Sequence, residues 1–173
     1  IPSDCPRFQS GDAKGLVKAS TRGDDLYIFV DPGNYSVTYQ LFGYENHLSP
    51  DDHFQNLMRL IQAVAGRAHR ISVIMPSLYG GRQHRRVSRG SLDGAFALQQ
   101  LRDVGVKNII TFDAHDPRVM NAVPTMSFDN VMPTYQVLKC LLHHVPDVSF
   151  HKDNFMIVSP DEGAMNRNMY FSS

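Results

Sequence analysis

A cluster of arginines is the part of the sequence whose side chains point most directly to chemistry. Arg82, Arg85, Arg86 and Arg89 lie close together, directly after the pair Gly80-Gly81. Guanidinium groups at this spacing repel one another unless solvent or an anion separates them, and arginine is suited to bidentate contacts with phosphate. The cluster therefore favours a polyphosphate site. A solvated basic loop and a nucleic-acid patch are the alternatives.

Two acidic segments follow farther along the chain. The first, Asp113-Ala114-His115-Asp116, could bind a metal ion, act as acid and base, or hold a substrate hydroxyl, although Asp116-Pro117 could also simply begin a turn. The second is Ser159-Pro160-Asp161-Glu162-Gly163, which taken alone is ordinary loop chemistry.

The three segments together indicate more than each does alone. Mg²⁺ prefers carboxylates, water and phosphate oxygens, while arginine neutralises the remaining phosphate charge. Transfer of phosphoryl-type groups depends on these two parts, because its catalysis is mostly positioning and charge neutralisation. The residues thus predict a site for a Mg-nucleotide or a phosphosugar. The sequence has neither a P-loop nor the Gly-x-Gly-x-x-Gly pattern of dinucleotide-binding folds.

Composition limits the class of protein. The 173 residues are 42% hydrophobic, which suffices for a core, and 17 Lys and Arg residues balance 17 Asp and Glu residues. Zero net charge argues against a protein that coats nucleic acid or anionic membranes. We find no apolar run of membrane-spanning length, and the two cysteines, Cys5 and Cys140, support neither a disulfide framework nor a cysteine zinc site. We expect a cytoplasmic protein without nucleic-acid or membrane partners.

Short apolar runs alternate with amphipathic segments along the chain. The pattern predicts four buried strands, at 26–30, 71–75, 107–112 and 155–158. It predicts three helices, at 50–66 with Ser49 as N-cap, at 91–104 and at 133–145. The aromatic stretch 34–49 has no clean period and is interpreted as an insertion or covering loop. Strands separated by helices predict an α/β fold, a three-layer α/β/α sandwich with a mainly parallel sheet. Ligands bind such sheets at the carboxyl ends of the strands, where the three polar segments lie.

These residues resemble a known family. Residues 79–86 (YGGRQHRR), 113–115 (DAH), 129–130 (DN) and 159–163 (SPDEG) are similar, in this order, to the N-terminal half of ribose-phosphate pyrophosphokinases, or PRPP synthetases. Residues 7–12 (RFQSGD) and 21–26 (TRGDDL) resemble two further segments of that family. The resemblance extends from about Arg7 to Arg167.

The resemblance implies a phosphoribosyltransferase-like domain and a ribose-phosphate diphosphokinase. This enzyme transfers the diphosphoryl group of Mg-ATP to the 1-hydroxyl of ribose 5-phosphate, making PRPP for nucleotide biosynthesis. By position, Arg82 and Gln83 would contact ATP, His115 would be catalytic and join the Mg-ATP site, and Asp161 would help to hold Mg²⁺. Asp113 and Asp116 are additional candidates for the metal site.

The resemblance also implies an assembly. Phe8, Ser10 and Asp12 match a loop that reaches the adenine in a neighbouring subunit, which requires a homo-oligomer, a dimer or a larger ring such as a hexamer. Ser88 and Arg89 match positions that bind regulatory phosphate.

Several positions depart from the family pattern. His84 stands where the family usually has Asp, and Asp116 replaces a small residue. Ser10 and Asp12 differ from the expected acidic positions, and 34–47 looks like an insertion. The family's second domain, which grips ribose 5-phosphate, and a first strand have no counterpart here. We therefore expect residues 1–173 to be a single N-terminal, nucleotide-binding domain of a longer two-domain protein, inactive alone. The alternative is a non-catalytic regulatory subunit associated with PRPP synthetases.

Overall fold

A computed structural model of the protein describes residues 1–172. The chain divides into two compact units. The first contains residues 1–131 and carries most of the regular structure, and the second begins at Met132. Within the described residues, no helix has both the length and the apolar character needed to cross a membrane.

The first unit is built around a four-stranded parallel sheet. The unit contains eight strands, of which four form this sheet and four form two separate ribbons. In chain order they are β1 (Ser3–Asp4), β2 (Leu16–Val17), β3 (Asp25–Phe29), β4 (Thr38–Leu41), β5 (Tyr44–His47), β6 (Arg70–Ile74), β7 (Val106–Phe112) and β8 (Ser127–Val131). The central sheet has the order β3-β6-β7-β8, and every neighbouring pair in it is parallel. β1 pairs with β2, and β4 with β5, as antiparallel ribbons. The predicted α/β class with a mainly parallel sheet is confirmed.

Helices connect the parallel strands. α1 (Pro50–Val64) leads from the β4–β5 hairpin to β6, α2 (Asp93–Asp103) connects β6 to β7, and a 3₁₀ helix, Pro117–Ala122, connects β7 to β8. Parallel neighbours require such crossovers, because a tight turn can join only antiparallel strands. All the carboxyl ends of the sheet therefore point to one edge.

The start of α1 is fixed by its sequence. The Ser49 hydroxyl accepts a hydrogen bond from the backbone N–H of Asp52, and the Asp52 carboxylate accepts one from the Ser49 backbone N–H. This reciprocal capping satisfies two backbone donors that the first turn leaves free, and Pro50 needs no such partner. The predicted cap at Ser49 is confirmed.

The core lies between α1, α2 and one face of the sheet. Leu57 of α1, Leu98 of α2 and the sheet residues Val73 and Ile109 are almost fully buried and belong to one cluster. Apolar residues at helical spacing and at alternate strand positions supply this cluster, as the two periodicities require.

Two sequence predictions about strands were wrong. Residues 155–158 form no strand, and the fourth strand of the sheet is instead β8. β8 was missed because three of its five residues are polar and only Phe128 is buried, so this edge strand lacks an apolar run. The stretch 34–49 contains the β4–β5 hairpin rather than an irregular loop, and the hairpin turns at Phe42-Gly43, where both residues have positive φ.

The second unit contains two helices. α3 is Thr134–His144, and α4 is Met165–Ser172, preceded by a 3₁₀ turn at Glu162–Ala164. The predicted helix at 133–145 thus agrees with α3 to within one residue at each end.

Candidate functional site

An open cavity of about 500 Å³ lies at the carboxyl edge of the sheet. Pro32 and Gly33 contribute from the turn after β3, and residues 77–83 contribute from the loop after β6. Pro50 and Asp51 at the start of α1, and Asp93 at the start of α2, complete its wall. Parallel sheets bind ligands at this edge, so the cavity is where the topology expects a site.

The arginine loop, defined here as residues 78–90, is packed closely onto α2. Gly80 has φ +67°, and a Cβ built on it would lie 2.9 Å from the Gly94 nitrogen. A Cβ on Gly94 would lie 2.6 Å from the Gly80 carbonyl oxygen. Only two glycines permit this backbone approach, because real Cβ atoms do not come so near. In the sequence, Gly94 stands out only as a glycine in the first turn of a helix, and the structure shows that the close approach of Gly80 requires it.

Tyr79 connects the arginine loop to α1. Its ring stacks on Phe54, with centroids 4.4 Å apart, and its hydroxyl donates a 2.7 Å hydrogen bond to Asp51. That hydrogen bond, with a further contribution from burial, raises the pKa of Tyr79 to about 12. The tyrosine therefore stays neutral and positions the wall of the cavity. The sequence pattern places Tyr79 in the family-like motif and Asp51 in the first turn of the helix, but it predicts no site role for either residue.

Arg82 and Gln83 line the cavity. The Gln83 backbone N–H donates to the Gly80 carbonyl, which closes a tight turn around them. Both residues are exposed to solvent, so the guanidinium of Arg82 can meet an anion without any rearrangement of the core.

His84 contacts the loop that follows β7. Its Nε2 lies 3.4 Å from Asp116 Oδ2, and its ring centroid lies 5.2 Å from that of His115. The structure therefore brings the arginine loop and the first acidic segment together, as predicted from their positions after neighbouring strands.

The backbone of the loop after β7 is held by hydrogen bonds to β8. Asp113 has φ +47°, and its N–H donates to the Val131 carbonyl. The Ala114 N–H donates a 2.8 Å hydrogen bond to the side-chain carbonyl of Asn130. These contacts fix the backbone from which His115 projects, while His115 itself is exposed.

Asp116 is buried and already paired. Arg118 donates to both its carboxylate oxygens, with Nε 2.9 Å from Oδ1 and Nη2 2.6 Å from Oδ2. These hydrogen bonds hold the pKa of Asp116 far below its usual range. To act as a metal ligand, the role suggested by sequence, this carboxylate would first have to share its oxygens with Arg118.

The loop with Phe8, Ser10 and Asp12 forms a compact turn in the first unit. The Phe8 N–H donates to the Asp12 carbonyl, and the Ser10 hydroxyl donates to the Asp12 carboxylate. The Phe8 side chain is 54% exposed. Arg7 anchors this turn, since it pairs with Asp52 at 2.6 Å.

The β4–β5 hairpin adjoins this turn. Residues 7–9 and 40–43 line an open cavity of about 340 Å³, and the Arg7 guanidinium lies 4.4 Å from the centre of the Tyr39 ring. The stretch interpreted as an insertion therefore forms one wall of a cavity beside Phe8.

Ser88, Arg89 and Asp161 are the remaining predicted site residues. Ser88 and Arg89 are exposed, at the far end of the arginine loop, and Ser88 has φ +50°. In the second unit, the Asp161 carboxylate accepts a hydrogen bond from the Ala164 N–H, and thereby caps the 3₁₀ turn.

Among residues 1–172 no group of three or more His, Cys, Asp or Glu side chains is arranged to hold a metal ion. Mg²⁺ commonly keeps several waters and takes only one or two protein ligands alongside substrate phosphates. A Mg²⁺ ion here would therefore have to take most of its ligands from phosphate and water oxygens, with at most one or two from the protein.

Residues 1–105 match the family described as the N-terminal domain of ribose phosphate pyrophosphokinase. The chain belongs to this family. It is 24% identical over 163 residues to a ribose-phosphate pyrophosphokinase of Staphylococcus aureus, covering 93% of this chain and 45% of that protein. Against the enzyme of the same name from Maricaulis maris it is 24% identical over 169 residues, covering 95% and 47%.

A solved structure has the same fold. The phosphoribosylpyrophosphate synthetase from Mycobacterium smegmatis superposes with a TM-score of 0.78 over 99% of this chain and 51% of that one, at 18% identity. The chain spans about half the length of the pyrophosphokinases it matches. The predicted family resemblance is thus confirmed.

Proposed function

We propose that this chain supplies the ATP-binding half of a ribose-phosphate diphosphokinase. The whole enzyme transfers the diphosphoryl group of Mg-ATP to the 1-hydroxyl of ribose 5-phosphate and releases AMP. The observation that carries this proposal is the cavity at the carboxyl ends of β3 and β6, which Arg82 and Gln83 line. Membership of the pyrophosphokinase family supports the same reaction.

The chain's own residues would bind and orient the nucleotide. Arg82 would neutralise phosphate charge at the cavity, where it needs no rearrangement to do so. Gln83, beside it, would donate to phosphate or sugar oxygens. His115 would approach from the loop after β7, with Asp113 and Asp161 as further candidates for metal contact. Mg²⁺, when bound with ATP, would stabilise the charge that builds up on the phosphates during transfer.

We propose further that the chain is the N-terminal domain of a longer, two-domain cytoplasmic protein that forms a homo-oligomer. The chain aligns with only 45% to 47% of the length of the related pyrophosphokinases, which supports a longer, two-domain protein. The exposed Phe8 and the turn formed by Ser10 and Asp12 are suited to meet an adenine in a neighbouring subunit. Ser88 and Arg89, exposed beyond the site, remain candidates for regulatory phosphate.

Calorimetric titration with Mg-ATP tests the nucleotide site. Arg82→Ala should weaken Mg-ATP binding by about tenfold or more, because a charge-assisted contact to phosphate is lost, and it should leave the thermal unfolding midpoint unchanged. Arg67→Ala, an exposed arginine outside the cavity, is the matched control and should bind like the wild type. Equal affinities for all three proteins would remove Arg82 from the site.

A second measurement separates the enzyme from the regulatory alternative. The whole protein is incubated with Mg-ATP and ribose 5-phosphate, and PRPP and AMP are quantified. Stoichiometric formation of both supports the diphosphokinase. Binding of Mg-ATP without either product would instead identify a non-catalytic subunit of the kind that associates with PRPP synthetases.

A further inference from the structure

The contact between His84 and Asp116 joins two loops that come from different crossovers. His84 belongs to the arginine loop after β6, and Asp116 lies at the end of β7's loop, directly before the 3₁₀ helix. Their side chains approach to 3.4 Å, and the ring centroids of His84 and His115 are 5.2 Å apart, with the ring planes tilted by 51°. Because His84 and Asp116 are far apart in the sequence, only the tertiary fold brings them into contact.

Both partners are shielded from solvent. The Asp116 side chain is 9% exposed and that of His84 is 18% exposed, whereas Arg85 and Arg86, which follow His84, are exposed. A buried carboxylate is stable only when it is paired. Asp116 has two neighbours that can pair with it, Arg118 and His84. The Arg118 side chain is 76% exposed and that of His84 is 18% exposed, so His84 is the more deeply buried of the two.

The segment between Gly80 and His84 is therefore held at both ends. At one end, Gly80 lies against the backbone of Gly94 in α2. At the other end, His84 lies against Asp116. The two residues that line the cavity, Arg82 and Gln83, lie between these anchors. A short segment fixed at both ends loses little further conformational entropy when a ligand binds to it.

We propose that His84 and Asp116 are a positioning pair that holds the arginine loop against the loop after β7, so that Arg82, Gln83 and His115 face one nucleotide. This inference rests on the proposed function for its consequence, but the contact between the loops can be tested without a nucleotide. Neither residue touches the substrate in this proposal. Their effect passes through Arg82 and Gln83 on one side and through His115 on the other.

A double-mutant cycle tests the pair in the whole protein. The variants are His84→Ala, Asp116→Ala and the two combined, with His84→Gln as the conservative replacement, since its side-chain amide carries a donor that can face Asp116. Arg118→Ala separates the exposed partner of Asp116 from the shielded one. The matched control is His69→Ala, which removes another histidine paired with an aspartate, at 3.1 Å from Asp25, at the amino ends of the strands.

Amide hydrogen exchange of the unliganded protein is the first measurement. We expect faster exchange in both residues 82–90 and 113–116 in each single alanine variant, no further increase in the double variant, and near-wild-type exchange in His84→Gln. His69→Ala should leave both loops unchanged. Exchange that rises only in the mutated loop, or that adds up in the double variant, would overturn the pairing.

Mg-ATP affinity and steady-state kinetics are the second measurement. We expect His84→Ala and Asp116→Ala each to weaken ATP binding and to raise the KM for ATP by roughly tenfold. The double variant should bind ATP no more weakly than the single variant with the lower affinity. Arg118→Ala should have a smaller effect than Asp116→Ala. If the exchange data show coupling but ATP affinity does not change, the positioning role is refuted. If the wild-type protein fails to bind ATP, the proposed function is refuted, and the exchange result alone then decides whether the loops are held together.

Discussion

The backbone contact between Gly80 and Gly94 gives a sharp test of how the arginine loop is built. Gly80→Ala has two separate consequences. The residue keeps a φ of +67°, which costs an L-residue about 1–2 kcal/mol of unfolding free energy. The new Cβ would also lie 2.9 Å from the Gly94 nitrogen and 3.0 Å from its Cα, so one of the two backbones must shift.

The chain contains a control that isolates the second consequence. Gly23 also has a positive φ, +79°, but a Cβ on it would meet no atom within 4 Å. Gly23→Ala should therefore lose only the conformational part, about 1–2 kcal/mol. Gly80→Ala should lose that part and a further 1–3 kcal/mol, roughly, for the forced repacking.

Urea unfolding followed by circular dichroism measures both variants, since the sequence contains no tryptophan. Calorimetry with Mg-ATP measures the site. Because the displaced turn carries Arg82 and Gln83, Gly80→Ala should also bind Mg-ATP about tenfold more weakly, whereas Gly23→Ala should bind it normally. Equal losses of stability and unchanged affinity in both variants would refute the argument that the close approach positions the arginine loop.

Three further outcomes are expected. Tyr79→Phe should lose about 0.5–1.5 kcal/mol of unfolding free energy and remove the tyrosine that titrates near pH 12 in ultraviolet absorbance, because its hydrogen bond to Asp51 is lost; a titration curve unchanged by the substitution would contradict this assignment. His115→Ala in the whole enzyme should lower turnover by more than about tenfold, and a wild-type rate would make its loop purely structural. For Asp52, burial opposes ionisation, but hydrogen bonds from Ser49 and Arg7 outweigh it and lower the pKa. Its stabilising effect is then present above its usual pKa of about 4 and is lost as the pH falls through the lowered value, so Asp52→Asn should flatten the acid side of the stability curve, and parallel curves would count against this.

Local signals in the sequence were enough for much of the fold. The cap at Ser49 followed from a serine, a proline and an acidic first turn, and three parallel strands followed from short apolar runs. β8 was missed because an edge strand can be polar on one face. The apolar run 155–158 predicts a strand, although Met156 is 81% exposed and Val158 is 72% exposed in the structure. Hydrophobicity alone does not indicate whether a neighbouring strand is available for pairing.

The sequence by itself determined the family, the parallel α/β class and the identity of the groups that could neutralise a polyphosphate, because these depend on residue type and on order along the chain. Only the tertiary structure decided which of those groups meet. It places His84 beside Asp116, although the two lie 32 positions apart in the chain, and both residues depart from the family pattern. It also forms an ion pair between Asp116 and Arg118. It also brings Gly80 against Gly94 and so fixes the turn that carries Arg82. Contacts of this kind depend on how crossovers return the chain to one edge of the sheet, and no local pattern of residues encodes that distance.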